Sequence, residues 1–437
     1  MKAARLLLIF TVWLALPWAC QNNKTAQETT CQSSVEDVEV KIDTTLSVGS
    51  QFRETFNVKR LDSISMETYG INPETASWVD LNEMRLLELS YVDFEGEDRT
   101  GVMMCHKTVA IDLIEIFRSL YKARYPIERM ELIDVYNGND EMSMEMNNTS
   151  CFNFRKKTGV NELSAHARGL AVDVNPRYNP YVKNRNGIVT VKPETSAEYS
   201  DRSAEFPHKI DREDLCYRLF REHGFQWGGT WRSVKDYQHF EKSNPGIPKF
   251  RSGDLIFQVG NQSDFSVAIT STTGNDRNLK FDHVGIISVD ENGHQAVIEA
   301  SPKNGVTMTP LTEFLNGTPE INGQKGIVVK RLLSDVDFPK CVANALSHLG
   351  EEYDWSYRPD NGKLYCSELV YESYVDNNGN HIFQSKPMNF KDSQGNIPDF
   401  WVELFSSLGE EVPEGIEGTN PNDLSADPRL VEVYSYF

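Results

Sequence analysis

The stretch S164-A-H-A-R-G-L-A-V-D-V174 sets a histidine and an aspartate seven residues apart, with glycine, alanine and little bulk between them. A surface turn feeding a strand accounts for such a pattern. So do two ligands of a metal site, which then needs a third from elsewhere. W231-R-S-V-K-D-Y-Q-H-F-E241 offers one, with Asp236 and His239 three residues apart, so that one helical turn or a tight loop points both inward. His166, Asp173 and His239 supply two imidazoles and a carboxylate. That set suits Zn2+ with a fourth position open for water. Asp236 then serves as a base, since zinc lowers the pKa of such a water toward about 7 and a nearby carboxylate can take its proton. Gly169 and Ala171 let backbone approach the site closely. Glu241, two residues beyond His239, reads as structural.

The 437 residues exceed one ordinary core and predict more than one domain. A hydrophobic share of 39% and a charged share of 25% are those of a soluble globular protein. The net charge of −20 argues against a nucleic-acid partner, which a polyanion would repel. At the start, Lys2 and Arg5 precede an apolar run from Leu6 to Leu16 that ends P17-W-A-C20. This reads as an export signal. The cysteine after Ala19 resembles a bacterial lipobox, with Cys20 as the lipidation site, although Pro17 and Trp18 depart from its usual residues. The polar stretch 21–35 is then a tether. Seven cysteines show no CxxC pair and no regular spacing. Export permits a disulfide, and Cys105–Cys151 is the candidate pair.

Helical spacing of Val109, Leu113, Ile116, Phe117 and Leu120 predicts a helix over 108–125, stopping before Pro126. M130-E-L-I-D-V-Y136 reads as a strand, and 211–222 as a helix closed by Gly224. K242-S-N-P-G-I-P-K249 is the expected domain boundary. Beyond it, 253–259, 283–289 and 296–300 read as strands, 339–349 and 366–374 as helices, and 413–421 as loop. The fold class is α+β, with domains over 36–244 and 250–437.

S164-x-H-x-x-G-x-A-x-D173 followed by D236-x-x-H239 resembles the zinc D-Ala/L-Ala peptidases of the VanY/VanX class, peptidase family M15. The resemblance is greater to the L-alanyl-D-glutamate branch. It extends through N147-N-T-S-C-F-N-F-R155, N175-P-R-Y-N-P-Y181 and G224-F-Q-W-G-G-T-W231, over roughly 85–242. It implies His166, Asp173 and His239 as zinc ligands, Asp236 as general base and Arg155 as oxyanion donor, an arginine being able to donate two parallel hydrogen bonds. Ser164 is a candidate substrate contact.

A second constellation lies in Y365-C-S-E-L-V370, where Cys366 opens an expected helix, a position that favours thiolate. A nucleophilic thiol needs a base, and His283 in F281-D-H-V-G-I-I287 starts a strand. Folding about D290-E-N-G293 sets residue 283 opposite roughly residue 300 and brings Glu299 near; a slip of one residue would flip its face. Glu299 could orient the imidazole. G253-D-L-I-F257, D282-H-V-G285, Y353-D354 and Y365-C-S-E-L-V370 together resemble the circularly permuted NlpC/P60 hydrolases, the YiiX-like group, over about 250–425. That resemblance implies Cys366 as nucleophile and His283 as base, while Glu299 as third residue and Tyr365 as pocket wall are read from position.

The two halves suit a single role, that of an exported, lipid-anchored bacterial hydrolase of the periplasm or outer envelope. It would act on peptidoglycan stem peptides or muropeptides, with Zn2+ in its first half. The rivals are a C-terminal acyltransferase, which an apolar cleft wide enough for an acyl chain would favour, and a module that binds wall peptide without catalysis.

Overall fold

The computed structural model describes residues 52–61, 80–154, 163–273, 279–334 and 336–437. Arg155, Cys20, the tether and the export signal lie outside them.

The first half begins with a three-stranded antiparallel sheet, Phe56–Arg60, Met84–Val92 and Asp98–His106, with Leu87 opposite Met103. Helix Lys107–Lys122 follows at once, because the His106 ring accepts from Thr108 N and supplies the N-cap. Its face of Val109, Leu113, Ile116, Phe117 and Leu120 is buried, as the spacing requires. Helix Leu215–Glu222 starts four residues later than expected, because Asp214 is the cap and accepts from Cys216 N.

The expected strand over 130–136 does not form. Ile133–Tyr136 is a short 3-10 turn that buries Ile133 and Tyr136 and ends on left-handed Asn137. The bonds Val135 N to Leu132 O and Gly138 N to Ile133 O close locally, and the Asn137-Gly138 pair overrides the strand propensity before it. Nor does Cys105 pair with Cys151: both are buried free thiols, and burial pushes each well above the ordinary value.

Residues 242–250 are irregular, and the second half opens on Leu255–Val259. This strand joins an antiparallel sheet whose order is Gly305–Pro310, Gln295–Ser301, Phe281–Val289, Leu255–Val259, Ile327–Leu332, Leu430–Ser435. Helices Phe338–Ser347 and Cys366–Ser373 lie near the expected limits. The stretch expected as loop over 413–421 includes the short strand Glu417–Gly418, paired with Lys386–Pro387.

The halves share a core. Val431 and Val433 of the last strand are buried in one cluster with Leu113 and Phe117 of the first long helix. Buried ions cross the same seam: Arg85 Nε donates to Glu432 Oε1 at 2.7 Å, and Arg331 reaches both Asp254 and Glu115.

Candidate functional site

Two small sheets position the first site. Strand Ala171–Asp173 pairs antiparallel with His239–Glu241, and Asp173 stands directly opposite His239. Side chains opposite each other on a strand pair share a face. His166 reaches them from the turn His166–Arg168, which ends at Gly169 with φ +65°. A Cβ on Gly169 would lie 2.6 Å from His106 N, so the turn needs glycine for both its conformation and its close packing. Ser164 Oγ accepts from Ala167 N and braces this turn.

The donor atoms form a small triangle. His166 Nε2 lies 3.0 Å from His239 Nδ1 and 3.3 Å from Asp173 Oδ2, and His239 Nδ1 lies 3.1 Å from Asp173 Oδ1. A tetrahedral ion with bonds of about 2.0–2.1 Å needs donors separated by roughly 3.3 Å. The remaining ring nitrogens are also occupied. His166 Nδ1 donates to Cys151 O at 2.7 Å, and His239 Nε2 faces Glu241 Oε2 at 3.3 Å. Each contact turns the opposite nitrogen's lone pair toward its neighbours, where two lone pairs and a carboxylate repel unless a proton or a metal cation lies between them. The residues therefore fit a divalent ion. Burial opposes it, but His166 and His239 hold the Asp173 carboxyl well below its ordinary value. Burial likewise lowers His239, yet Asp173 and Glu241 outweigh it and lift that imidazole to about 10 in the absence of metal.

Asp236 ends strand Lys235–Asp236, opposite Tyr181 and three residues before His239 opens its strand, so the spacing from Asp236 to His239 is a tight loop and not a helical turn. Its Oδ1 is buried without a hydrogen-bond partner among the described residues. Burial pushes this carboxyl up to about 6, with His239 opposing and Asp173 adding to the rise. Trp231 lies tilted against His239, with ring centroids 5.2 Å apart, while Trp227 is core.

The second site is built on the sheet of the other half. His283 Nε2 meets Glu299 Oε2 at 2.6 Å, and Thr309 Oγ1 donates to Glu299 Oε1 at 2.6 Å. The turn is one residue longer than D290-E-N-G293: Asp290 N bonds His294 O, and Ile286 pairs with Ile298. Carried along the strand, this register sets His283 opposite 301, one residue beyond the expected 300, which leaves Glu299 on the face of His283. Gly285 lies between them; a Cβ there would come within 2.4 Å of Val297 Cγ1. Cys366 is the first residue of its helix, and its thiol lies near enough to act on the His283 imidazole. Burial lowers the imidazole, but Cys366 and Glu299 outweigh it and raise His283 well above its ordinary value. A thiol, an imidazole and a carboxylate thus stand close together, the groups a nucleophile, its base and an orienting residue would need.

Tyr365 and Cys366 line a pocket of about 470 Å³, counting space open to solvent. The Tyr365 hydroxyl accepts from Thr419 N at 3.0 Å, which ties the pocket to the C-terminal tail. Thr309 and the tail residues carry no sequence signal of their own; only the fold brings them here.

Residues 158–242 match the family model described as D-alanyl-D-alanine carboxypeptidase, of peptidase family M15. Residues 249–434 match that of the permuted papain-like amidases of the YaeF/YiiX type, the C92 family. The chain joins an M15-type peptidase domain to a permuted papain-like domain. It is 28% identical over 195 residues to the uncharacterized protein YiiX of Escherichia coli K12, across 43% of this chain and 89% of that one. A crystal structure of the metalloprotein yiiX from Escherichia coli O157:H7 is 25% identical, covers 43% of this chain and 98% of its own, and gives a TM-score of 0.36. The expectation of a peptidase or amidase with two hydrolase modules is met. All three donor residues fall within the M15-type match, and His283, Glu299 and Cys366 fall within the papain-like match.

Proposed function

We propose that this chain is an exported, lipid-anchored hydrolase of peptidoglycan stem peptides, with a zinc peptidase and a cysteine peptidase that cut different bonds of one stem. The observation that carries the reading is the triangle of His166, Asp173 and His239 with the unpartnered Asp236 oxygen in the same buried site. Zinc held there would supply Lewis acidity toward the scissile carbonyl and toward water. Asp236 takes the proton of the attacking water and passes it to the leaving amine. Arg155 donates to the developing oxyanion, as the M15 resemblance implies. In the other domain the Cys366 sulfur adds to the carbonyl, His283 protonates the departing amine, and water then releases the acyl group under the same base. Glu299 keeps the imidazole oriented.

Mass spectrometry of defined muropeptides, after incubation with wild type, Asp236→Ala and Cys366→Ala, tests this. Two distinct cleavages, each lost in one variant, are expected. Unchanged products from both variants would end the proposal.

A second reading replaces the cysteine peptidase by an acyltransferase. The aromatic-rich wall of the pocket beside Cys366 is the observation in its favour.

A further inference from the structure

The pocket beside Cys366 has a wall that no simple substrate satisfies. Ile269, Tyr353, Tyr357, Met388, Phe390 and Trp401 make it largely apolar. Among the described residues, no aspartate, glutamate, lysine, arginine or histidine lines it. A carboxylate or ammonium group entering here would lose water and gain no counter-charge. Three lining side chains nevertheless carry buried polar atoms without partners among the described residues, Ser367 Oγ, Trp401 Nε1 and Thr419 Oγ1. Ser367 and Trp401 are almost wholly buried, at 1% and 2% exposure, and Thr419 is buried beside them. A plain alkyl chain would leave these atoms unsatisfied, which is the costly case. The indole N–H can only donate, so the occupant must present an acceptor; the serine hydroxyl either donates or accepts. A flat, neutral amide offers both an acceptor and donors, with apolar faces for the aromatic rings.

We propose that this pocket selects an uncharged, carboxamide-bearing residue in the peptide presented to Cys366, over the same residue as a carboxylate and over a plain alkyl chain. Ser367 and Trp401 are the residues that read the amide. The inference rests on the peptide-hydrolase reading of the papain-like domain and names the residue type that domain takes.

The full-length Asp236→Ala, Cys366→Ala double variant, which leaves the probes uncut, is titrated calorimetrically with three ligands. These are L-alanyl-γ-D-isoglutaminyl-L-lysine, the matching γ-D-glutamyl peptide with its free α-carboxylate, and hexanoyl-L-lysine. The amide should bind about tenfold more tightly than either other ligand, as expected where a site's polar groups pair with only one of the competitors. Trp401→Phe or Ser367→Ala, added separately, should erase that preference and leave the weak binding of the carboxylate peptide unchanged. Thermal unfolding of each variant checks that the fold is intact, and either variant suffices. Equal or tighter binding of the carboxylate peptide, tighter binding of the alkyl ligand, or no binding of the amide overturns the proposal. Wild-type turnover of the two peptides separates the two claims. Preferential binding without Cys366-dependent cleavage sinks the peptidase reading alone, and cleavage indifferent to the amide sinks the pocket assignment alone.

Discussion

Asp173 and His239 face each other across an antiparallel strand pair, with Oδ1 and Nδ1 3.1 Å apart. The contact links residues 66 positions apart in the chain, and it fixes where any ion must sit. His166 then completes the donor face from a turn, and Asp236 is placed by the loop that leads into the His239 strand. Asp236 and His239 therefore lie on one continuous stretch, and the roles proposed for them can be separated by mutation.

Asp236→Ala should keep the metal and lose the reaction of the M15-type domain. Removing a general base typically costs about 10²–10⁴-fold in rate. Metal content per chain should be unchanged, since Asp236 is not among the three donors. Elemental analysis alongside muropeptide kinetics checks both halves of the statement. Unaffected hydrolysis would exclude Asp236 as the base.

Glu241 reads from sequence as structural, and its place beside His239 Nε2 gives that reading a purpose. Glu241→Gln should weaken metal binding about 10–100-fold, because the carboxylate fixes the ring and makes its other nitrogen a better donor. Competition with a chromogenic chelator measures the change. An unaltered affinity would mean that the ring is held by packing alone.

Glu299→Gln should slow alkylation of Cys366. The carboxylate helps keep His283 charged, and the charged imidazole favours thiolate. Labelling by a thiol-directed electrophile, followed over pH, should show wild-type Cys366 reacting faster than a free thiol near neutrality. The variant should react more slowly at the same pH. A Cys366 no more reactive than free thiol in the wild type would remove the catalytic claim for that domain.

What could be read from the sequence follows from how locally each contact is made. His166 and Asp173 lie on one short stretch, and the Lys107–Lys122 helix declares itself by period. Glu299 was legible through the turn before it, but the register came out one residue off because His294 belongs to that turn. The 130–136 segment was misread because its apolar residues fit a strand, while Asn137-Gly138 closed it into a turn. Thr309, Trp401 and Ser367 could not be read as site residues, since they meet Cys366 and His283 only when strand, helix and tail converge. The Cys105–Cys151 expectation failed: both are free thiols buried in the core.

Stability of the first half should fall as pH rises through the titration of Asp214. Burial pushes this carboxyl up to about 6 from an ordinary value of 3.8. The folded chain then holds a proton that the unfolded chain has released. The stabilisation is complete below the unfolded value and is lost as pH climbs through the folded one. Asp214→Asn should remove this part of the dependence, since asparagine caps a helix about as well and still accepts from the Tyr125 hydroxyl. Melting temperatures of wild type and variant across that window give the comparison, and parallel curves would contradict it.

The seam between the domains should behave as one structural unit. Arg85 is almost fully buried and donates to Glu432 and Ser435 of the last strand. Burial raises the Glu432 carboxyl, but Arg85 and Arg60 outweigh it and hold it below the ordinary value. Glu432→Ala leaves the guanidinium buried without its counter-charge, which typically costs about 3–5 kcal/mol. Because the strand that carries Glu432 packs on the helix of the M15-type domain, both halves should lose stability together. Calorimetry should record a single transition shifted downward, with loss of muropeptide cleavage by both sites at the same temperature. Two separate transitions, only one of them shifted, would mean that the domains fold independently. Acid should mimic the substitution, since stability from a lowered carboxylate is present above its unfolded value and disappears as pH falls through the folded one.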